Sequence, residues 1–184
     1  MKKEKENRNN FQIGVFGSAS DLKYSKALEK MAEDVGYLIA QRGGVLMFGL
    51  EKDGDSLSMA AVRGAKRGNG LTVGITYGRK TDTEICPDIV ITSGMERGGG
   101  REYILGINCD AAIAISGGSG TLNEIAVAYQ LNIPVVAISN TGGWAEKLAG
   151  QYLDDRKRLK IFTAENAKQA VDMAFELAKK FKKD

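Results

Sequence analysis

An apolar run over residues 111–115 (AAIAI) passes directly into Ser116-Gly117-Gly118-Ser119-Gly120-Thr121 and then into a segment of helical character. Few architectures accept that order. Glycines at 117, 118 and 120 let the backbone take positive φ and pass close to a bound group, and the first N–H groups of the helix that follows have no partner inside it. A strand ending in such a turn suits an anion, most often a phosphate.

The same order recurs along the chain. Residues 12–16 (QIGVF) read as a strand, Gly17-Ser18-Ala19-Ser20-Asp21 as a turn, and residues 22–42 as a helix with Leu28, Met31, Val35 and Leu38 at helical spacing and Gly43-Gly44 as its stop. Residues 45–48 give a second strand, followed by a polar, acidic loop (GLEKDGDSLS), a small-residue helix over 59–67 and the stop Gly68-Asn69-Gly70. Further strands are expected at 71–75, 88–92, 133–138 and 159–162, with helices at 102–108, from 123, around Trp144 and Leu148, and at the C-terminus. Thr163 is a candidate N-cap for that last helix, whose Ala170, Val171, Ala174, Phe175, Ala178 and Phe181 share one apolar face.

Strands that alternate with helices and read as continuous apolar runs imply a parallel sheet covered on both faces. The expected fold class is α/β, a doubly wound, mainly parallel six- to seven-stranded Rossmann-like sheet, formed by one domain over residues 11–184 behind a disordered polar tail at 1–10. Ligands of such sheets bind beyond the carboxyl ends of the strands, where the winding reverses. The Gly-rich loops after strands one, two, four, five and six all fall at that edge. Gly14 and Gly17 do not complete GxGxxG, because Ala19 and Ser20 follow, so a dinucleotide dehydrogenase is only weakly suggested.

Composition narrows the chemistry. A chain of 184 residues can bury about 70% of the surface its unfolded form exposes, so neither metal nor disulfide is needed for stability. With no histidine and two cysteines, Cys86 and Cys109, far from CxxC spacing, zinc fingers, His-based triads and HExxH sites are excluded. Any acid or base must be a carboxylate, Lys, Tyr or Cys. A net charge of +3 gives no basic stripe for nucleic acid, and no apolar run approaches the ~20 residues of a membrane span. The expected compartment is the cytoplasm. Asp53 and Asp55 in the acidic loop read as solvated charges rather than metal ligands.

Two segments admit both a structural and a functional reading. Gly98-Gly99-Gly100 between Arg97 and Arg101 is either a flexible turn or a loop that brings Arg101 onto an anion as a helix begins. Thr121-Leu122-Asn123-Glu124 fits a capping box, in which Thr121 caps the helix and Glu124 reaches back to it. Alternatively, Glu124 stays ionised near the helix N-terminus and faces positive charge developing on a sugar.

SGGSGTLNE resembles the PGGxGTxxE signature of the Lonely Guy family of nucleoside-monophosphate phosphoribohydrolases, formerly described as lysine decarboxylases, and of the related molybdenum-cofactor carrier proteins. Residues 13–18, 59–75 and 126–138 resemble that family's opening strand and loop, its small-residue helix with the following strand, and the continuation of its motif. The resemblance implies that Arg101 and Glu124 are a catalytic pair, and that Gly17, Ser18, Gly99, Gly100, Gly117, Gly118, Ser119, Gly120 and Thr121 hold a phosphorylated nucleotide. It implies a homodimer or higher homo-oligomer, no metal and no required cofactor, and a ligand that is a nucleotide or a molybdopterin-type compound. Two functions follow from it, hydrolysis of the base–ribose bond and non-catalytic carriage of a nucleotide or cofactor. Glu102 stands where the hydrolases have lysine, Ser116 where they have the leading proline, and FGLEKDGDS where they have a compact run of glycines. These departures point toward the carrier-like branch. DNA-processing proteins share the fold by resemblance, but this sequence lacks the basic stripe they would need.

Overall fold

The computed structural model describes residues 10–50, 55–78, 87–95 and 100–181. Nearly all of the expected tail, residues 51–54 of the acidic loop, Cys86, Arg97, Gly98 and Gly99 lie outside these residues. Seven parallel strands form one sheet in the order β4-β3-β2-β1-β5-β6-β7. They are β1 (Gln12–Gly17), β2 (Val45–Gly49), β3 (Leu71–Thr76), β4 (Ile89–Thr92), β5 (Ala111–Ile115), β6 (Val135–Ile138) and β7 (Phe162–Ala164). The chain winds outward from β1 to β4, crosses back, and winds the other way from β5 to β7. The winding therefore reverses between β1 and β5, whose ends pair as Gly17 with Ile115.

Helices α1 (Lys26–Gln41), α2 (Leu57–Arg67) and α6 (Ala167–Phe181) cover one face, over Ile13, Val15, Leu46, Phe48, Ile113 and Val136. Helices α3 (Gly100–Ile107), α4 (Ser119–Gln130) and α5 (Gly143–Leu148) cover the other, over Phe16, Met47, Ile75, Ala112, Ala114 and Ala137. The period-2 geometry of a strand explains the division, since successive residues of β1 point to opposite faces. Gly14 is required on the α3 side, where an added Cβ would lie 2.7 Å from Cys109 Sγ and 2.9 Å from the Phe16 ring.

The helix stops are as expected. At the end of α1, Gly43 at φ +72° donates to Ala40 O and Gly44 donates to Ile39 O, the two bonds of a Schellman motif. Asn69 and Asn132, both at positive φ, end α2 and α4 in the same way. The small-residue helix α2 packs more closely than a sheet contact alone would need. A Cβ at Gly64 would overlap the carbonyl of Glu33 on α1, and one at Gly36 the carbonyl of Ala61 on α2. Arg63 fastens that crossing by ion pairs to Glu29 at 2.6 Å and Glu33 at 3.2 Å.

Several features differ from expectation. Helix α1 starts at Lys26 rather than residue 22, because Ser25 Oγ caps it by accepting from Leu28 N–H, while residues 20–22 form a separate 3-10 turn. The last strand shifts from 159–162 to Phe162–Ala164, since Ile161 exchanges its backbone bonds with Gly150 and Gln151 instead of β6. Thr163 consequently lies inside β7, and Asn166 Oδ1 accepts from Gln169 N–H at the start of α6, with Gln169 Oε1 accepting from Glu165 N–H. Finally, β4 is not covered like the other strands: Ile89, Val90 and Ile91 are each at least 38% exposed at the sheet edge. Among the described residues, no helix is long and apolar enough to cross a membrane.

Candidate functional site

A cleft of about 480 Å³ opens at the carboxyl edge beside the β1–β5 switch point. The first turn of α4 forms its floor. Gly118 precedes that helix in extended conformation, and the first intrahelical bond runs from Leu122 N–H to Gly118 O at 3.0 Å. The amides of Ser119, Gly120 and Thr121 therefore precede the hydrogen-bonded ladder and carry the positive end of the helix dipole.

The loop before this turn is held from behind. Ser116 and Gly117 take φ of +56° and +98°. Gly117 N–H donates to the buried Ser18 Oγ at 2.8 Å, and Ser116 N–H donates to Thr141 Oγ1 at 2.9 Å. Their carbonyls accept from the amides at the start of α5, Ser116 O from Ala145 and Gly117 O from Trp144. Gly143 has to be glycine, because a side chain there would overlap the Ser116–Gly117 peptide. With those carbonyls engaged by α5, what the loop offers the cleft is donors.

Thr121 and Glu124 are not a capping box. The helix begins at Ser119, two residues before the expected cap, with no side-chain cap bond, and Thr121 Oγ1 instead donates to Gly17 O at 3.3 Å, tying α4 to the end of β1. Glu124 is thereby placed in the wall of the cleft, buried, with Oε1 3.9 Å from Arg101 Nη2. Arg101 comes from the first turn of α3 and is only 5% exposed. Its guanidinium lies 4.5 Å from the centre of the Tyr77 ring on one side. On the other it rests against Gly49, where an added Cβ would be 2.9 Å away. Nη2 also donates to Glu102 Oε1 at 3.3 Å, which accepts from Tyr77 OH at 3.0 Å as well.

One guanidinium thus stands between two buried carboxylates. A stacked, planar cation of this kind keeps its charge and orientation out of water. Cys109, behind the sheet edge, is a poor nucleophile: burial, then the nearby Glu124 and Asp110 carboxylates, push its thiol far up, and it donates to Leu105 O at 3.1 Å. Among the described residues no group of three or more His, Cys, Asp or Glu could hold a metal.

Of the residues singled out in the sequence, Gly17, Gly118, Ser119, Gly120, Thr121, Arg101 and Glu124 line the cleft together. Ser18 and Gly117 lie beneath it as supports of the loop, and Gly100 faces the Met95 side chain. Gly99 falls outside the described residues. Tyr77 and Glu102 also line the cleft, and sequence reasoning did not select them for it. Glu102 carried one signal, its position next to Arg101 in the first turn of a helix. Tyr77 carried none, since the loop after β3 is not glycine-rich.

Comparison with known proteins agrees with this fold. An uncharacterized protein of Archaeoglobus fulgidus is 35% identical over 120 residues, covering 65% of this chain and 74% of that protein. The solved structure of TM1055 superposes with a TM-score of 0.79 at 25% identity, over 89% of this chain and 97% of that one. The molybdenum cofactor carrier protein of Chlamydomonas reinhardtii superposes with a TM-score of 0.77 at 26% identity, over 91% of this chain and 98% of that one. Residues 10–171, which span every strand of the sheet and the whole cleft, match the SLOG cluster4 family (LDcluster4), and the chain belongs to that family.

Proposed function

We propose that the cleft binds the phosphate end of a nucleotide or of a nucleotide-like, molybdopterin-type ligand, and that the protein carries or senses it. The observation that carries this reading is the first turn of α4, whose three leading amides line a cleft together with a buried, stacked Arg101. Similarity to a molybdenum cofactor carrier protein supports the ligand class. A homo-oligomer belongs to the same proposal, since the exposed Tyr103 and Ile107 on α3 offer apolar surface for self-association.

A second reading, hydrolysis of the base–ribose bond of a nucleoside 5′-monophosphate, is favoured by one feature. Glu124 and Arg101 lie side by side in the cleft wall, where a carboxylate can stabilise positive charge developing on the sugar ring and the guanidinium can hold phosphate.

One experiment addresses both. A Cβ at Gly120 meets nothing within 4 Å, so Gly120→Asp is expected to fold, with its carboxylate beside the anion-binding amides. Titration with AMP and GMP should show binding by the wild type that weakens about 10–100-fold in the variant. Equal affinity in the two would contradict the assignment of the phosphate to α4. The same samples, assayed for ribose 5-phosphate, distinguish the readings. Turnover that disappears in Glu124→Ala marks a hydrolase, and binding without product marks a carrier.

A further inference from the structure

The cleft's second carboxylate has an unbalanced environment. Glu102 is 3% exposed, and its Oε1 accepts two hydrogen bonds, from Tyr77 OH at 3.0 Å and Arg101 Nη2 at 3.3 Å. Its Oε2 is equally buried and, among the described residues, has no hydrogen-bond partner. A role confined to orienting Arg101 would be complete with Oε1 alone. Leaving a carboxylate oxygen buried without a donor costs more than leaving a neutral group so, and an unmatched acceptor in a ligand-sized cleft calls for a donor from outside the fold.

We infer that Glu102 is a specificity-determining residue whose Oε2 accepts a hydrogen bond from a neutral N–H or O–H donor on the bound ligand, at a distance from its phosphate. The inference rests on the ligand reading of the cleft given above. Phosphate and carboxylate repel, so the two groups sort the ligand's own ends: the α4 amides take the anion, and Glu102 takes the donor-bearing part. Either an exocyclic amine on a purine or pterin ring or a sugar hydroxyl has this chemistry. A site whose buried acceptor goes unmet rejects the analogue that lacks the donor, which is a stronger discrimination than apolar packing supplies.

Glu102→Gln tests the assignment without removing volume. Because Oε1 accepts from both Tyr77 and Arg101, the amide oxygen takes that place and its NH2 group takes the place of Oε2, turning an acceptor into a donor. AMP and GMP should be titrated into wild type and variant beside purine riboside and inosine monophosphates, which lack the amine, and 2′,3′-dideoxy monophosphates, which lack the hydroxyls. In the wild type, the analogue missing the relevant donor should bind about 10–100-fold more weakly than its parent. In Glu102→Gln the parent should fall to the analogue's affinity, while inorganic pyrophosphate, which carries no such donor, binds the variant no more weakly than the wild type. The analogue series identifies whether amine or hydroxyl is the donor. If wild type binds pyrophosphate and monophosphates but neither analogue class nor the Gln variant alters affinity, the role of Glu102 is overturned while the ligand cleft stands. If wild type binds none of these phosphates, the cleft reading falls and this inference with it. Should Glu102→Gln fail to fold, the wild-type analogue series alone decides, since equal affinities there overturn the proposal.

Discussion

Replacing Arg101 with methionine is expected to destabilise the protein by about 3–5 kcal/mol, an effect unusual for a residue in a ligand cleft. The cause is what remains. Glu102 and Glu124 are both buried, and among the described residues Arg101 lies beside each, at 3.3 and 3.9 Å. Methionine would fill much of the space between Tyr77 and Gly49 but would take the positive charge away from two buried carboxylates. Adding Glu102→Gln to the variant removes one of those charges and should restore about 1–3 kcal/mol, a coupling visible in a double-mutant cycle of urea unfolding. An Arg101→Met protein as stable as the wild type would mean that the cluster is not a charge-balanced unit. The hydrolase reading of the Arg101–Glu124 pair would then lose its structural basis too.

Gly64→Ala, far from the cleft, is expected to lower stability by about 2–3 kcal/mol or more, with a fall in melting temperature as the readout. Helix propensity alone gives the opposite sign, since alanine in a helix interior is better than glycine by about 1 kcal/mol. Packing decides here. The added Cβ would overlap the backbone carbonyl of Glu33, which cannot swing aside as a side chain can, so α1 and α2 would have to separate. Separation also stretches the Arg63 pairs to Glu29 and Glu33. Gly36→Ala, on the facing helix, should behave alike because its Cβ meets the Ala61 carbonyl. A stabilised Gly64→Ala would show that the helices do not cross at this distance.

The contrast between those sites explains how far the sequence could be read. Seven apolar runs, each followed by a small-residue or polar connection, led to seven parallel strands and to the switch point, because strand burial and right-handed crossovers leave little freedom once the order is known. The glycine-rich turn before α4 was equally legible as a turn, since glycines at 117, 118 and 120 needed an explanation that a simple strand–helix connection does not give. Thr121 and Glu124 were harder. Their spacing satisfies a capping box, and only the start of α4 at Ser119, made possible by the backbone of Gly117 and Gly118, moves Glu124 out of the cap and into the cleft wall.

Tyr77 could not be recognised locally at all, and Glu102 only by its place beside Arg101. A glutamate next to an arginine in a helix's first turn ordinarily reads as solvated, and a tyrosine after a strand reads as a boundary. Their pairing depends on α3 returning from β4 to pack against β2 and β3, a long-range consequence of the crossover. The final strand failed for a related reason. Residues 159–161 have strand-like composition, but the 150–151 segment pairs with Ile161, leaving β7 to begin at Phe162.

Native mass spectrometry of the full chain, as purified and after addition of nucleoside monophosphates, bears most directly on the claim that this cleft holds a phosphorylated ligand. The account predicts a discrete non-covalent adduct with the mass of one phosphorylated compound per chain, retained by the wild type and lost from Gly120→Asp. A wild-type protein that carries no adduct as purified and acquires none from the added phosphates would contradict it.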